Sequence, residues 1–508
     1  MRKYLAVVAG SVLVGTLWGC QGAPSAVSSA PAIEHSFDGD SGPDLAACQA
    51  GNTLCGRQPE INVATNGKQV VQVTWQNVRI YDYDGKLVQS KPLAELIRSA
   101  GLEPMPKGGK GPFEAHIVFN EFIERWVISV SCYSDCLLVS ATPDARGEWR
   151  GVYPTCLQGG PCIDRNPSLK LGYDRNGVYF CAGHGGDENP LSVKGVGYDC
   201  FAIPSAQAQA IGQGKEPVNL NRTHNLPLDI VPAVDHTPNK APTAPARFMN
   251  MSCARTAPNA CQNSTDFPFQ WLVNSFVWDG PTGRWNPSGA QQAVKTDVGS
   301  KANKWVYNTP CCGEKTSTAQ AGTAVTLRTA GSHRVMNVLQ VGDHLHGVLG
   351  SGPCTGSACG AQGTDTNNVM FYVDLDCSKQ DACVVAQTAK ISGADFNPLF
   401  GTVGADEKGN VGIVASSVTA TTNLSVLFWS RRKSDPPNTF SGPVMVAKGT
   451  QPHTCRPDQS LVPLGNTVGI LTTRDPLDPA KFWTTAQWSN DARPCVFNTR
   501  IVGYRLGQ

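Results

Sequence analysis

Two histidine-bearing segments carry the residues best suited to chemistry. In Cys181-Ala182-Gly183-His184-Gly185-Gly186-Asp187-Glu188-Asn189, an imidazole and two carboxylates share a glycine-rich stretch free of bulky neighbours. A histidine beside such acids suits general base catalysis or metal ligation, and the same residues equally suit a solvated loop held by Cys181. In Asp343-His344-Leu345-His346 the imidazoles stand two residues apart. On a strand that spacing places both on one face, where His344 and His346 could share a metal or simply face solvent. With His116 and His333 they keep open a histidine-based lyase that takes the C5 proton of a uronic acid. Trp271, Trp278, Trp285 and Trp305 could stack on sugar rings, although tryptophans also fill sheet cores. No Gly-x-Ser-x-Gly elbow and no phosphate loop leading into a helix occurs.

The elements around these residues read as short strands. Asn62 to Gln89 contains Val70-Val71-Gln72-Val73, Val78-Arg79-Ile80-Tyr81 and an Asp84-Gly85 turn, which predicts a hairpin. Leu93, Leu96 and Ile97 fall on one face of a short helix that Gly101 ends. Thereafter strand, turn and strand alternate to the end, punctuated by Gly and Asp-Gly. The chain has 52 Gly, 36 Pro and only 16% charged residues. About 450 residues of short strands without a linker exceed an ordinary sandwich, and radial repetition of four-stranded sheets solves that problem. The expected fold is all-β and disulfide-rich: a β-propeller of six or seven blades over residues 58–508.

The first residues set the compartment. Arg2 and Lys3 precede an uncharged apolar run from Tyr4 to Trp18, shorter than the ~20 residues of a membrane span and typical of a signal peptide (1–19). Leu17-Trp18-Gly19-Cys20 resembles the lipobox that bacterial signal peptidase II cuts before a diacylated cysteine. Ordinary cleavage near Ala23 or Ala26 is the alternative. The resemblance implies lipidation at Cys20, and Gln21 in place of Asp favours the outer membrane. Residues 20–57, rich in Ser, Ala, Pro and Gly, read as a flexible tether, with Asp38, Asp40 and Asp44 as solvated acids.

Nineteen cysteines exclude a reducing compartment, and eighteen remain once Cys20 is set aside. The close couples Cys48 with Cys55, Cys132 with Cys136, Cys156 with Cys162, Cys253 with Cys261, Cys354 with Cys359 and Cys377 with Cys383 read as local staples. Cys181, Cys200, Cys311, Cys312, Cys455 and Cys495 must then pair at longer range, and a Cys455 to Cys495 bridge would tie the last strands. A balance of 42 Lys+Arg against 40 Asp+Glu, without a basic block, argues against nucleic acid. No cofactor is expected.

Three stretches resemble a bacterial propeller family of sialidase-like fold. The first runs from Arg125-Trp126-Val127 through Ala141-Thr142-Pro143-Asp144-Ala145-Arg146-Gly147-Glu148-Trp149, similar to an Asp-box turn with Thr142 in place of Ser. The second is Trp278-Asp279-Gly280-Pro281-Thr282-Gly283-Arg284-Trp285. The third is the C-terminal run with Arg456-Pro457-Asp458, Arg474-Asp475-Pro476-Leu477-Asp478 and Asn498-Thr499-Arg500-Ile501. The resemblance implies the fold and, for a sialidase, an arginine cluster gripping a carboxylate. Arg255, Arg328, Arg334, Arg431, Arg432 and Arg456 are available, but the family's Arg-Ile-Pro motif is absent. Two functions stay open. One is a lipid-anchored propeller binding a glycan or an envelope protein, with Trp278, Trp285, Arg431 and Arg432 as binding candidates. The other is glycan cleavage, with His184, Asp187, Glu188 and Arg456 as catalytic candidates.

Overall fold

The computed structural model describes residues 32–42, 59–104, 112–154, 169–184, 197–226 and 230–253 without 216, 218 and 219, then 267–286 without 281, 292–295, 306–307, 317–328, 335–351, 367–455 without 380 and 381, 461–463, and 470–507 without 492 and 494. These residues form a β-propeller of seven four-stranded antiparallel blades. Blade 1 is Asn62–Thr65, Gln69–Val73, Asn77–Asp82 and Leu87–Pro92, and blade 2 is Phe113–Asn120, Arg125–Ser131, Asp135–Ser140 and Trp149–Val152. Blade 3 comprises Lys170–Tyr173, Gly177–His184, Gly197–Pro204 and Asn221–Leu226. Blade 4 comprises Val231–Pro232, Ala246–Cys253, Phe267–Asp279 and Thr282–Asn286. Blade 5 runs through Val335–Val341, His344–Ser351, Val369–Lys379 and Ala382–Ile391. Blade 6 runs through Pro398–Ala405, Val411–Thr419, Thr422–Arg431 and Ser441–Gly449.

Blade 7 is assembled from both ends of the chain. Thr473–Asp475, Asp478–Trp488 and Asn498–Arg505 supply three strands, and Ala32–Ser41 pairs antiparallel with the last of them as the fourth. This corrects the expectation of a flexible tether over 20–57: its middle is a strand. The physical reason is that the open edge of Asn498–Arg505 needs backbone partners, and a polar, small-residue segment can supply them as well as an apolar one. Asp40, expected to be solvated, is buried, 2.7 Å from Arg79 and accepting from the Thr74 hydroxyl at 2.7 Å. Asp38 is exposed and pairs with Arg500 at 2.7 Å. Cys20 and Asp44 lie outside the described residues.

The innermost strands stand side by side in chain order, and the seventh returns to the first. Polar clamps fix neighbouring blades. Asn62 Nδ2 donates to the Ala115 carbonyl at 3.0 Å while its Oδ1 accepts from the Leu471 N–H at 2.8 Å, spanning blades 7, 1 and 2. Asn337 exchanges both hydrogen bonds with the Val403 backbone at 2.9 Å, joining blades 5 and 6. Between clamps the blades bury apolar faces: Val63, Val70 and Tyr81 of blade 1 pack with Trp483 and Ile501 of blade 7. Sheets covered on both faces explain strands that are apolar almost throughout.

Sequence-level details reappear in the fold. Leu93–Ser99 is a helix burying Leu93, Leu96 and Ile97, and Gly85 and Gly101 take left-handed φ of 89° and 87°. A second helix, Ser205–Gly212, was not anticipated; its weak apolar pattern buries only Ala208, Ile211 and Gly212. In the 141–148 turn the Asp144 carboxylate accepts from the Arg146 N–H at 3.0 Å, and buried Trp149 donates to the Ala145 carbonyl at 2.9 Å, so the motif is structural. Four disulfides join Cys132 to Cys136, Cys181 to Cys200, Cys377 to Cys383 and Cys455 to Cys495. Cys181 and Cys200 sit directly opposite on paired strands. The remaining cysteine couples involve residues whose side chains lie outside the description.

Candidate functional site

We call the face at which the innermost strands end the lower face. There, the strand of blade 4 does not stop at Pro232. It continues as Val234–Asp235, which pairs in parallel with Tyr173 of blade 3 and with Leu339 and Gln340 of blade 5. This splice delivers His236 to the lower mouth of the channel, where four chain segments converge. Glu121 follows the innermost strand of blade 2, in a turn where the Asn120 side chain accepts from the Phe122 N–H at 3.0 Å. Tyr173 ends the innermost strand of blade 3, and Arg474 lies on that of blade 7.

The geometry is tight. His236 Nε2 accepts from the Arg474 backbone N–H at 3.2 Å, so the neutral ring carries its proton on Nδ1. Nδ1 lies 3.1 Å from the Tyr173 hydroxyl and 3.4 Å from Glu121 Oε1. Arg474 Nη2 donates to Glu121 Oε1 at 3.1 Å and to the His236 carbonyl at 2.7 Å, and Nη1 reaches Glu407 of blade 6 at 3.4 Å. His236 and Tyr173 are buried, whereas Glu121 and Arg474 keep a partly exposed edge and Glu407 is exposed. Behind the cluster, buried Lys240 bridges Asp174 and Asp235 at 2.8 Å each and anchors the splice.

Burial lowers the pKa of His236 despite the opposing pull of Glu121. Burial, reinforced by the Glu121 charge, raises Tyr173 well above the ordinary phenol range. For Glu121 burial works against the charge, but hydrogen bonding from His236 and the Arg474 guanidinium outweigh it and hold the carboxyl below its usual value. At neutral pH the cluster is therefore a neutral imidazole, a neutral phenol and a carboxylate tied to a guanidinium. It can offer hydrogen bonds and a charged edge, and it has no unengaged base.

The residues expected from the sequence are distributed differently. Trp278 is buried, donating from Nε1 to the Tyr179 hydroxyl at 2.8 Å and packing edge-on against Phe276. Trp285 packs on Phe248 and Phe276 with ring centroids 4.9 Å away in each case. Trp278 fills the space between blades 3 and 4, so it does not offer the sugar-stacking surface expected of it, and Trp285 packs against the same cluster while staying half-buried; alternation along the hairpin puts both on that face. Trp271 is buried too.

Arg431 is buried, donating to Gln387 Oε1 at 2.6 Å and to the Asp435 carbonyl, so it clamps blade 6 to blade 5 and offers no open grip. Half-buried Arg432 stands in the same turn, its N–H donating to Asp435 at 2.7 Å. His344 and His346 do share a face, their rings stacked 6.2 Å apart. Among the described residues no group of three or more His, Cys, Asp or Glu suits a metal ion. The backbone of His184 pairs with Gly197; its side chain, Asp187, Glu188, Arg456, Trp305 and His333 lie outside the described residues. Glu121, Tyr173 and His236 carried no signal in the sequence. Arg474 stood in the C-terminal run without a role assigned.

No known family profile and no curated protein matches the chain. Several solved structures align with it. One is Drosophila semaphorin 1b, extracellular domains 1–2, with 7% identity, 93% of this chain and 86% of that one covered, and a TM-score of 0.41. A second is a polysaccharide lyase, the PL25 ulvan lyase, with 10% identity, 72% and 76% coverage and a TM-score of 0.33. A third is the α-L-arabinofuranosidase Arb93A from Fusarium graminearum, with 10% identity, 75% and 89% coverage and a TM-score of 0.34. At such values nothing about this chain's chemistry follows from theirs.

Proposed function

We propose that this chain is a lipid-anchored, extracytoplasmic β-propeller that binds a glycan or a protein of the cell envelope. The observation that carries the reading is that the polar groups of the lower mouth are mostly engaged with one another. The cluster of His236, Tyr173, Arg474 and Glu121 spends most of its donors and acceptors on itself, Arg474 Nε excepted, as a clamp among blades 2, 3, 4, 6 and 7 does. A rigid ring with stapled strands supplies a preformed surface, which limits the ordering entropy lost on binding. The test is a screen of the soluble chain starting at Gln21 against glycans and envelope extracts, measuring retention and product release together. Retention without turnover is expected; release of a reducing sugar or an unsaturated uronate would end the pure-binder reading.

One observation favours a second reading, glycan cleavage. A phenol, an imidazole, a carboxylate and a guanidinium lie within 3.4 Å of one another in sequence of contact, groups that could take a proton beside a uronate and neutralise its charge once a substrate displaces the contacts they make with one another. If that reading holds, Tyr173→Phe abolishes turnover while leaving retention of the glycan in place.

A further inference from the structure

The innermost strands run toward the lower face, so the fourth strand of blade 7 begins there: Ala32 pairs with Arg505, near Asp478 and the hairpin that turns at Pro476 and Leu477. The same corner of the molecule exposes three large apolar side chains, Leu477 at 65%, Val88 at 48% and Leu87 at 46%. They are not scattered. Leu477 lies directly against Gly67 in the first hairpin of blade 1, and Asp475 accepts a 2.5 Å hydrogen bond from Tyr83 in its second. Gly85 of that second hairpin lies directly against Phe37 of the N-terminal strand. Lys68 and Lys86 are exposed beside these residues, with Asp84 the exposed acid between them and the half-buried rings of Tyr83 and Phe37 behind.

We propose that this corner of the lower face, formed by blades 7 and 1, rests on the lipid bilayer. The inference depends on the lipid at Cys20 that the proposed function includes. Eleven residues lie between Cys20 and Ala32, twelve chain steps in all. A chain of twelve steps reaches about 20 Å as a random coil and at most about 40 Å fully extended. A folded chain of this size has a radius of gyration of about 22 Å, so the tether is short against the molecule's diameter. The anchor therefore holds the corner where Ala32 begins close to the membrane. Leucine and valine side chains there can enter the interfacial region, and Lys68 and Lys86 can meet anionic headgroups. The upper face, which carries the Cys132 to Cys136 hairpin, then points away from the membrane, toward ligand.

The test uses the full, processed chain reconstituted in vesicles of phosphatidylethanolamine and phosphatidylglycerol. Mass spectrometry first establishes the state of Cys20. Hydrogen exchange is then compared with that of the soluble chain starting at Gln21. Vesicle attachment is expected to slow exchange at least threefold in the hairpins over 66–69 and 82–88 and to leave the 131–135 hairpin unchanged. An environment-sensitive fluorescent residue at position 477 should be quenched by acyl-brominated lipid, and one at position 133 should not. A lipidated Cys20 with equal exchange and no quenching at 477 overturns the docking face alone. An unmodified Cys20 overturns the anchor and the docking face together. Protection confined to 131–135 means the opposite face meets the bilayer.

Discussion

The lower mouth and the histidine pair of blade 5 are built from the same groups, and solvent separates their behaviour. At the mouth, His236 touches a tyrosine hydroxyl and a carboxylate in the interior, and burial lowers its pKa. In blade 5, His346 is also buried, its Nδ1 2.9 Å from the Tyr372 hydroxyl, and burial likewise lowers it. His344, two residues away and nearly half exposed, hydrogen-bonds Asp374 at 2.7 Å, and that bond raises its pKa above the ordinary value. A carboxylate neighbour thus favours an imidazolium where water shares the charge, and yields to desolvation where it does not.

The largest effect should come from breaking the mouth. Arg474→Ala leaves the Glu121 carboxylate largely buried without its guanidinium, at an expected cost of about 2–3 kcal/mol in urea unfolding. Arg474→Lys should recover only part of this, because an ammonium cannot serve Glu121, the His236 carbonyl and Glu407 at once. A loss below about 0.5 kcal/mol for the alanine variant would mean that the cluster does not clamp the blades. Tyr173→Phe, which removes a single hydroxyl from the same network, should cost about 1 kcal/mol.

The comparison sharpens in the pH dependence of stability. His236, His346 and His453 all have lowered values, His453 to about 4 through burial. For each, the unfolded chain binds the proton first, so stability present above about pH 6.5 is lost as the pH falls toward the folded value. His344 has the opposite sign: its contribution is complete below about pH 6.5 and disappears as the pH rises through its elevated folded value. Melting temperatures from pH 4 to 8 should therefore fall less steeply on acidification in His346→Gln than in the parent. In His344→Gln the decline should be steeper, because the compensating proton uptake is gone. The smallest effect is expected for His344→Ala at pH 8, about 0.5 kcal/mol or less, since an exposed ion pair contributes little. A loss as large as that of Arg474→Ala would show that exposure does not separate the two regions.

Much of the scaffold was legible because its signals are local. The Asp84-Gly85 turn, the helix over Leu93–Ser99, the Cys377 to Cys383 staple and the shared face of His344 and His346 each depend on residues a few positions apart. The Cys455 to Cys495 bridge was legible by its place near the end of the chain. The candidate site was not. Glu121, Tyr173, His236 and Arg474 come from positions up to 353 residues apart, the first three in unremarked turns or strand ends and Arg474 in a run to which no site role attached. Trp278 misled for the converse reason: residue type alone does not tell which face of a strand a ring occupies, and its ring went to the core, with Trp285 half-buried against it.

The sequence by itself determined that the chain would fold into short paired strands, since turn residues and apolar runs fix those preferences within ten or so positions. Its nineteen cysteines also carry the expectation of disulfides, four of which the described residues form. Only the tertiary structure decided that Ala32–Ser41 completes blade 7, that the ring has seven blades and that a parallel splice carries His236 to the channel mouth. Those outcomes satisfy backbone donors and buried charges across the whole ring, and the partners that satisfy them lie hundreds of residues away in the chain.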